Sequence, residues 1–193
     1  MAESRSMAWP GLCLALSLGS LYAWSGGRQY LLVWHVAGWM HHPWQLWTAS
    51  LAHLSAAHLL INLAALLAMA VLGLFLQAGR GAVAASLLAW PLGTQALSLW
   101  PEIRYYSGMS GLLMAMLTVL AIHATRRPEQ RATGAVLLIV LGLKLLTEHG
   151  WSQPLAFDPN WGFNVVYAAH LTGALAGAAS ALLIGNWPRR ARP

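Results

Sequence analysis

Apolar residues run along this chain in six long blocks, separated by short polar or charged segments. A helix needs about 20 mostly apolar residues to cross the hydrocarbon core of a bilayer, and each block approaches or exceeds that length. The predicted helices cover residues 9–25, 54–77, 81–99, 107–124, 133–148 and 162–186. The pattern therefore predicts an all-α membrane protein, with six transmembrane helices forming a single domain over residues 1–193.

Two other segments could be mistaken for spans or for a leader. The stretch "YLLVWHVAGWMHHPWQLW" is rich in Trp and His and is broken by Pro43. Since Trp prefers the membrane–water boundary, we expect an interfacial loop there. The first apolar block follows Arg5 as in a signal peptide, but "SLYAWSGG" is a poor cleavage site, so we expect this block to remain as a helix.

Composition supports an integral membrane protein. Hydrophobic residues make up 58% of the chain and charged residues only 8%, whereas soluble domains carry about 25% charged residues. The formal net charge is +6, which could indicate a nucleic-acid partner. The arginines lie between the apolar blocks, however, and their distribution has a simpler explanation in membrane topology.

The arginines divide unequally between the two sides of a six-span topology. Arg28 and Arg104 fall on one side. The other side collects Arg5, Arg80, Arg126, Arg127, Arg131, Arg189, Arg190 and Arg192. Cytoplasmic loops are enriched in Lys and Arg, so both termini are predicted to be cytoplasmic, and the basic residues face anionic lipid rather than nucleic acid.

Four polar residues fall at a similar depth in three helices that run inward. Ser110 lies near the start of the fourth helix, and His58 and Asn62 lie in the outer half of the second. His170 is expected about 8 residues, or ~12 Å, into the sixth. Polar groups inside a membrane are costly and usually face the bundle interior or a water-filled cavity, so one shared site in the outer leaflet is predicted.

Small residues would allow the fourth and sixth helices to approach closely. Gly111 and Ala115 are four residues apart beside Ser110, and Gly173 and Gly177 are four apart beside His170. Such spacing permits close backbone packing. Each polar residue also has a structural interpretation, because Ser commonly bonds back to its own helix and His58 and Asn62 could link neighbouring helices.

The joint chemistry predicts acyl transfer. Ser110 would be the nucleophile and His170 the base that accepts its proton. The side chains of His58 and Asn62 and the backbone N–H of Ser110 would stabilise the oxyanion, and Gly108 and Gly111 would let a substrate backbone approach. The chain has five acidic residues, and none lies in the predicted sixth helix. A Ser–His dyad without a carboxylate is therefore expected, with no metal and no cofactor.

Three motifs, in order along the chain, resemble the rhomboid intramembrane serine proteases. "HLSAAHLLIN" contains His53, His58 and Asn62, "GMSG" contains Ser110, and "AHLTGALAG" contains His170. The resemblance implies that Ser110 and His170 form the catalytic dyad and that His58 and Asn62 belong to the oxyanion site. We expect His53 to have a structural role at the entrance of the second helix.

The compact form and the phrases "WQLWTASLAHLSAAHLLINL" and "YYSGMSG" look most like the rhombosortase branch. This resemblance implies a bacterial inner-membrane enzyme whose active site faces the periplasm and whose substrates are exported proteins with a C-terminal Gly-Gly motif, an apolar span and a basic tail. Two positions depart from the family pattern, at Gln45, where Arg is frequent, and at Met114, where an aromatic residue or His is frequent. We expect the Met114 thioether to contact the imidazole of His170.

Other interpretations of the polar residues are retained. His58, His123 and His170 could ligate haem in a membrane cytochrome, although His123 is expected at the inner face. Lys144 and Glu148 are predicted to form an interfacial ion pair, with a minor alternative in which Lys144 meets the substrate. A loop metal site at His35, His41 and His42 has no supporting motif. A general rhomboid protease with other single-span substrates, and a non-catalytic membrane chaperone or transporter, are the remaining alternatives.

Overall fold

The structure, a computed structural model, describes residues 6–27 and 29–185, and helices dominate it. Each predicted apolar block coincides with one long helix, and a seventh helix is a single turn. The helices are α1 (Ala8–Ser25), α2 (Gln45–Thr48), α3 (Ala56–Phe75), α4 (Arg80–Gln95), α5 (Ser110–Thr125), α6 (Arg131–Glu148) and α7 (Tyr167–Gly185). Two short antiparallel ribbons accompany them, formed by β1 (Trp34–His35) with β2 (Tyr105–Tyr106) and by β3 (Ala156–Asp158) with β4 (Phe163–Val165).

Four helical segments of the described residues are long and apolar enough to cross a membrane. They are Ala56–Phe75, Arg80–Leu99, Pro128–Glu148 and Tyr167–Gly185. Helix α5 is apolar but shorter, and α1 has 18 residues. A predominantly helical membrane protein is confirmed at this level, whereas the number of spans and the orientation of the termini stay predictions.

The start of the last helix was predicted wrongly. The sequence pattern placed it at residue 162, but α7 begins at Tyr167 and the residues before it form β4. Gly162 adopts φ +72° in the turn between β3 and β4, a conformation that glycine tolerates and other residues rarely adopt. The apolar run after this turn is compatible with a strand or a helix. His170 therefore lies in the first turn of α7 rather than deep within the helix.

The aromatic-rich loop after α1 is anchored to the strand before α5. Trp34 of β1 is fully buried and pairs with Tyr106 of β2. The predicted loop thus contains β1 and the one-turn helix α2, and the ribbon fixes the chain that leads into α5.

Helix α5 lies at the centre of the bundle. Ten of its residues are buried, and it packs against α3, α4, α6 and α7. The small residues predicted to permit close packing with α7 lie at that contact. A Cβ atom added to Gly177 would lie 2.5 Å from the carbonyl oxygen of Ala115, and one added to Gly173 would overlap the carbonyl oxygen of Gly111.

Contacts between helix ends show which ends lie together. The indole of Trp9, at the start of α1, donates a hydrogen bond to the Met69 carbonyl near the end of α3. Arg127, just after α5, donates to the Leu76 carbonyl just after α3, and Arg126 donates to the Ala181 carbonyl near the end of α7. The start of α1 and the ends of α3, α5 and α7 therefore share one end of the bundle.

The bundle exposes long apolar stripes. On α6 the exposed residues include Val136, Ile139, Val140, Leu143 and Leu146. Exposed apolar area on this scale is unusual for a soluble monomer, and it suits helices whose outer faces contact lipid.

Candidate active site

A cavity of about 590 Å³ opens at the end of the bundle where α3, α5 and α7 begin. Four of its lining residues are the polar residues that the sequence predicted to share a site, namely His58, Asn62, Ser110 and His170. The structure therefore brings together the predicted nucleophile, base and oxyanion residues from three helices.

Ser110 is the first residue of α5. The first N–H groups of a helix have no intrahelical acceptor and carry a partial positive charge. A hydroxyl at this position lies beside donors suited to a developing negative charge.

The chain before Ser110 makes a turn that requires glycine. Gly108 has φ +120°, and its N–H donates to the Ala49 carbonyl over 2.9 Å. A Cβ atom at Gly108 would lie 2.7 Å from Cε1 of His58. The glycine thus permits both the backbone conformation and the packing of the His58 ring against the turn.

Tyr106 fixes the same turn, and the sequence analysis did not identify it. Its buried hydroxyl donates to the Gly108 carbonyl over 2.6 Å and accepts from the Gly111 N–H over 3.3 Å. Burial raises the pKa of Tyr106 to about 12, with hydrogen bonds from Gly111 and Ser110 opposing the rise. The phenol therefore stays protonated and remains a donor at neutral pH. One sequence signal pointed to it, an aromatic pair directly before the serine motif.

Ser110 and His170 approach each other through their chain neighbours. A Cβ atom at Gly111 would lie 2.9 Å from the Ala169 carbonyl oxygen, so the residue after the serine touches the residue before the histidine. Across the described residues no hydrogen bond within 3.5 Å joins the Ser110 hydroxyl to His170. Such bonds are often long in substrate-free hydrolases and shorten when substrate binds.

A carboxylate stands behind His170, which the sequence analysis did not expect. Oε2 of Glu148, the last residue of α6, lies 2.8 Å from Nδ1 of His170. Lys144 donates to the other carboxylate oxygen, as the predicted ion pair requires. The expectation that no acidic residue supports the histidine was wrong, because the acid comes from the preceding helix rather than from α7.

Asn62 places a polar group on the cavity wall. The residue is 4% exposed, and within residues 6–27 and 29–185 its Nδ2 atom has no hydrogen-bond partner. A buried amide without a partner costs on the order of 1–3 kcal/mol. Its free N–H groups are donors that an oxyanion could use.

His58 lies one turn before Asn62, at the start of α3. Ser55 caps this helix by accepting a hydrogen bond from the His58 N–H. The imidazole packs against Phe163 and Trp161, with ring centroids 5.2 Å and 6.0 Å away. These aromatic residues belong to the β3–β4 segment. Their place at the site was not predicted, because the last helix was expected to begin at residue 162, with Phe163 inside it and Trp161 directly before it.

His53 is buried beside the site but does not line the cavity. Its N–H donates to the Gln29 side chain over 2.6 Å, and its ring packs edge-on against His58. Burial lowers the pKa of His53, and a hydrogen bond to the Leu51 carbonyl opposes the shift. A neutral ring that supports His58 fits the structural role predicted for it.

The two departures from the family pattern lie in different places. Met114 lines the cavity together with Ser110 and His170, while its contact with the imidazole stays a prediction. Gln45 is buried in α2 and is not among the residues that line the cavity.

The remaining histidines are not among the residues that line this cavity. His123 is in the last turn of α5, at the opposite end from Ser110. His42 packs edge-on against Trp44, and in the part of the chain that the structure describes no three His, Cys, Asp or Glu residues cluster as metal ligands.

Comparison with known proteins identifies the family. The family model described as Rhomboid domain matches residues 40–187. This range includes most of the bundle and the five residues named in the three motifs, His53, His58, Asn62, Ser110 and His170. The chain belongs to the rhomboid family, a family of intramembrane serine proteases. No curated protein matches the chain.

Proposed function

We propose that this protein is an intramembrane serine endopeptidase in which Ser110 and His170 form the catalytic pair. The observation that carries the proposal is the shared cavity, whose wall contains both residues together with His58 and the unpartnered amide of Asn62. Family membership supports the same reaction class.

The reaction follows from the positions of these groups. Ser110 Oγ attacks the scissile carbonyl carbon while Nε2 of His170 accepts the hydroxyl proton. Asn62, His58 and the Ser110 N–H donate hydrogen bonds to the oxyanion. The C–N bond then breaks, the amine leaves with the proton from His170, and an acyl ester remains on Ser110. Water, deprotonated by His170, hydrolyses the ester and restores the enzyme.

The proposed orientation places the cavity on the extracytoplasmic side. Arg80, Arg126, Arg127 and Arg131 lie at or beside the end of the bundle opposite the cavity. Positive residues favour the cytoplasm, so both termini would be cytoplasmic and the active site of a bacterial inner-membrane enzyme would face the periplasm. Arg5, Arg28, Arg189, Arg190 and Arg192 lie outside the described residues.

The proposed substrates are exported proteins held by a C-terminal tail. An intact helix keeps its carbonyls in its own hydrogen bonds, so cleavage requires local unwinding, and glycine is a poor helix former. A Gly-Gly step before a short apolar span and a basic tail meets this requirement at the depth of Ser110. The rhombosortase resemblance implies the same substrate.

A reporter protein carrying this tail tests the proposal. Co-expression with wild-type enzyme should release the reporter, and co-expression with Ser110→Ala should leave it anchored. Replacing the two glycines with leucines should block release. If the leucine version is cut equally well, the Gly-Gly preference is wrong and a general rhomboid protease remains; if Ser110→Ala releases the reporter, the serine mechanism is wrong.

A further inference from the structure

We infer that Glu148 is a positioning residue that holds the imidazole of His170 for catalysis, so that Ser110, His170 and Glu148 act together as a triad. The inference rests on the proposed protease function. It starts from the 2.8 Å contact between Glu148 Oε2 and His170 Nδ1, in which both side chains are largely buried, with 13% and 8% exposed.

The backbone fixes this contact from both sides. Helix α6 ends at Glu148 because His149 adopts the left-handed conformation, with φ +49°. The next residue, Gly150, packs so closely on α7 that an added Cβ atom would lie 2.6 Å from the Tyr167 carbonyl oxygen. The Ala168 N–H also donates to the Pro154 carbonyl. The end of α6 is thus fastened to the first turn of α7, where His170 lies.

The contact selects one tautomer of His170. An ionised carboxylate can only accept hydrogen bonds, and Lys144 on its other oxygen favours the ionised form. Nδ1 must then carry the proton, which leaves a lone pair on Nε2. This is the tautomer that a general base requires, and the carboxylate also stabilises the imidazolium that forms when Ser110 gives up its proton.

The simpler interpretation is an ion pair that only ties α6 to α7. Such a tie would affect folding, and through folding it would affect substrate binding and turnover together. A positioning role affects the chemical step, so kcat should fall while KM and thermal stability stay close to their wild-type values.

The decisive variants are Glu148→Gln and Glu148→Asp in the full-length protein, assayed with a cleavable tail peptide. In soluble serine hydrolases the corresponding amide substitution costs up to about 10⁴-fold in kcat; we expect a loss of at least about tenfold for Glu148→Gln. Glu148→Asp should recover part of the loss because it retains the carboxylate. Glu129→Gln, an exposed acid at the opposite end of the bundle, is the matched control and should keep wild-type kcat.

A measurement on the unmodified active site covers the case in which Glu148→Gln does not fold. In 15N-histidine-labelled wild-type protein, the resonances missing from His170→Ala identify His170, and they should show a proton on Nδ1 at neutral pH. A neutral ring protonated on Nε2, or wild-type kcat in a folded Glu148→Gln variant, would overturn the inference. If Ser110→Ala also retains turnover, the protease proposal itself has failed; if Ser110→Ala is inactive, only the role of Glu148 is rejected.

Discussion

The Nδ1 atom of His170 lies 2.8 Å from Oε2 of Glu148, so the end of α6 and the first turn of α7 present one polar unit to the cavity. Ser110 enters the same cavity from α5. A carboxylate, an imidazole and a hydroxyl thus come from three consecutive long helices, and the function of each depends on how those helices pack.

Removing either partner of the catalytic pair should abolish proteolysis. Ser110→Ala removes the nucleophile and His170→Ala removes the base, and residues that act as a unit are strongly non-additive. The double variant should therefore be little worse than either single variant in kcat for a tail peptide. All three should remain folded and membrane-inserted, and near-wild-type turnover by either single variant would contradict the mechanism.

Loss of an oxyanion residue should lower kcat for peptide cleavage while Ser110 remains able to react with a covalent probe. Loss of one donor costs roughly 10²–10³-fold in kcat in soluble hydrolases, so Asn62→Ala should fall in this range, and His58→Ala should behave similarly. Both variants should still react, slowly, with a fluorophosphonate probe. Unchanged rates in both would place the oxyanion site elsewhere.

His53→Ala provides a comparison within the same motif. Its ring supports His58 from outside the cavity. The substitution should therefore lower the midpoint of thermal unfolding, while kcat per folded enzyme stays close to the wild-type value. A loss of kcat as large as that of Asn62→Ala, with unchanged stability, would give His53 a direct catalytic role.

Close packing of α5 and α7 makes Gly173 sensitive to a single methyl group. A Cβ atom there would overlap the Gly111 carbonyl oxygen, and forcing extra volume into a packed core costs typically about 1–3 kcal/mol. Gly173→Ala should lower the midpoint of thermal unfolding in detergent and reduce activity, since it separates Ser110 from His170.

Gly142→Ala is the matched control for this substitution. Gly142 lies inside α6. A Cβ atom added there would have no atom of a neighbouring element within 4 Å among the described residues. Alanine is favoured over glycine in a helix by about 1 kcal/mol, so stability should be equal or slightly higher. Equal destabilisation by both substitutions would contradict the proposed packing effect.

Tyr106→Phe should destabilise the turn that carries Ser110. The substitution leaves the Gly108 carbonyl and the Gly111 N–H without the phenol oxygen, and an unsatisfied buried group costs about 1–3 kcal/mol. Thermal unfolding should shift downward, and probe labelling of Ser110 should slow. Tyr105→Phe is the control, because Tyr105 is 67% exposed; equal shifts in the two variants would remove the specific role of Tyr106.

The helices could be predicted from sequence because long apolar blocks report directly on local structure. The motifs likewise located Ser110, His58, Asn62 and His170 before their geometry was known. The short run before Tyr167 was ambiguous, since Phe163 and Val165 suit a strand as well as a buried helix, and the turn at Gly162 decided the outcome. Local sequence patterns of this kind predict the helices and strands but not the contacts between them.

Contacts between elements account for what the sequence did not predict. Glu148 lies 22 residues before His170, and its spacing from Lys144 indicated only an ion pair within one helix. Its approach to His170 depends on the close packing of Gly150 on Tyr167, which no local pattern encodes. The role of Tyr106 depends similarly on the fold of the turn around Gly108.

The most direct test of the central claim is covalent labelling of the purified protein with a fluorophosphonate, followed by peptide mass spectrometry. The account predicts one adduct, on Ser110, with labelling lost in Ser110→Ala and strongly slowed in His170→Ala. An adduct on another residue, or labelling of Ser110→Ala at the wild-type rate, would contradict the assignment of Ser110 as the nucleophile.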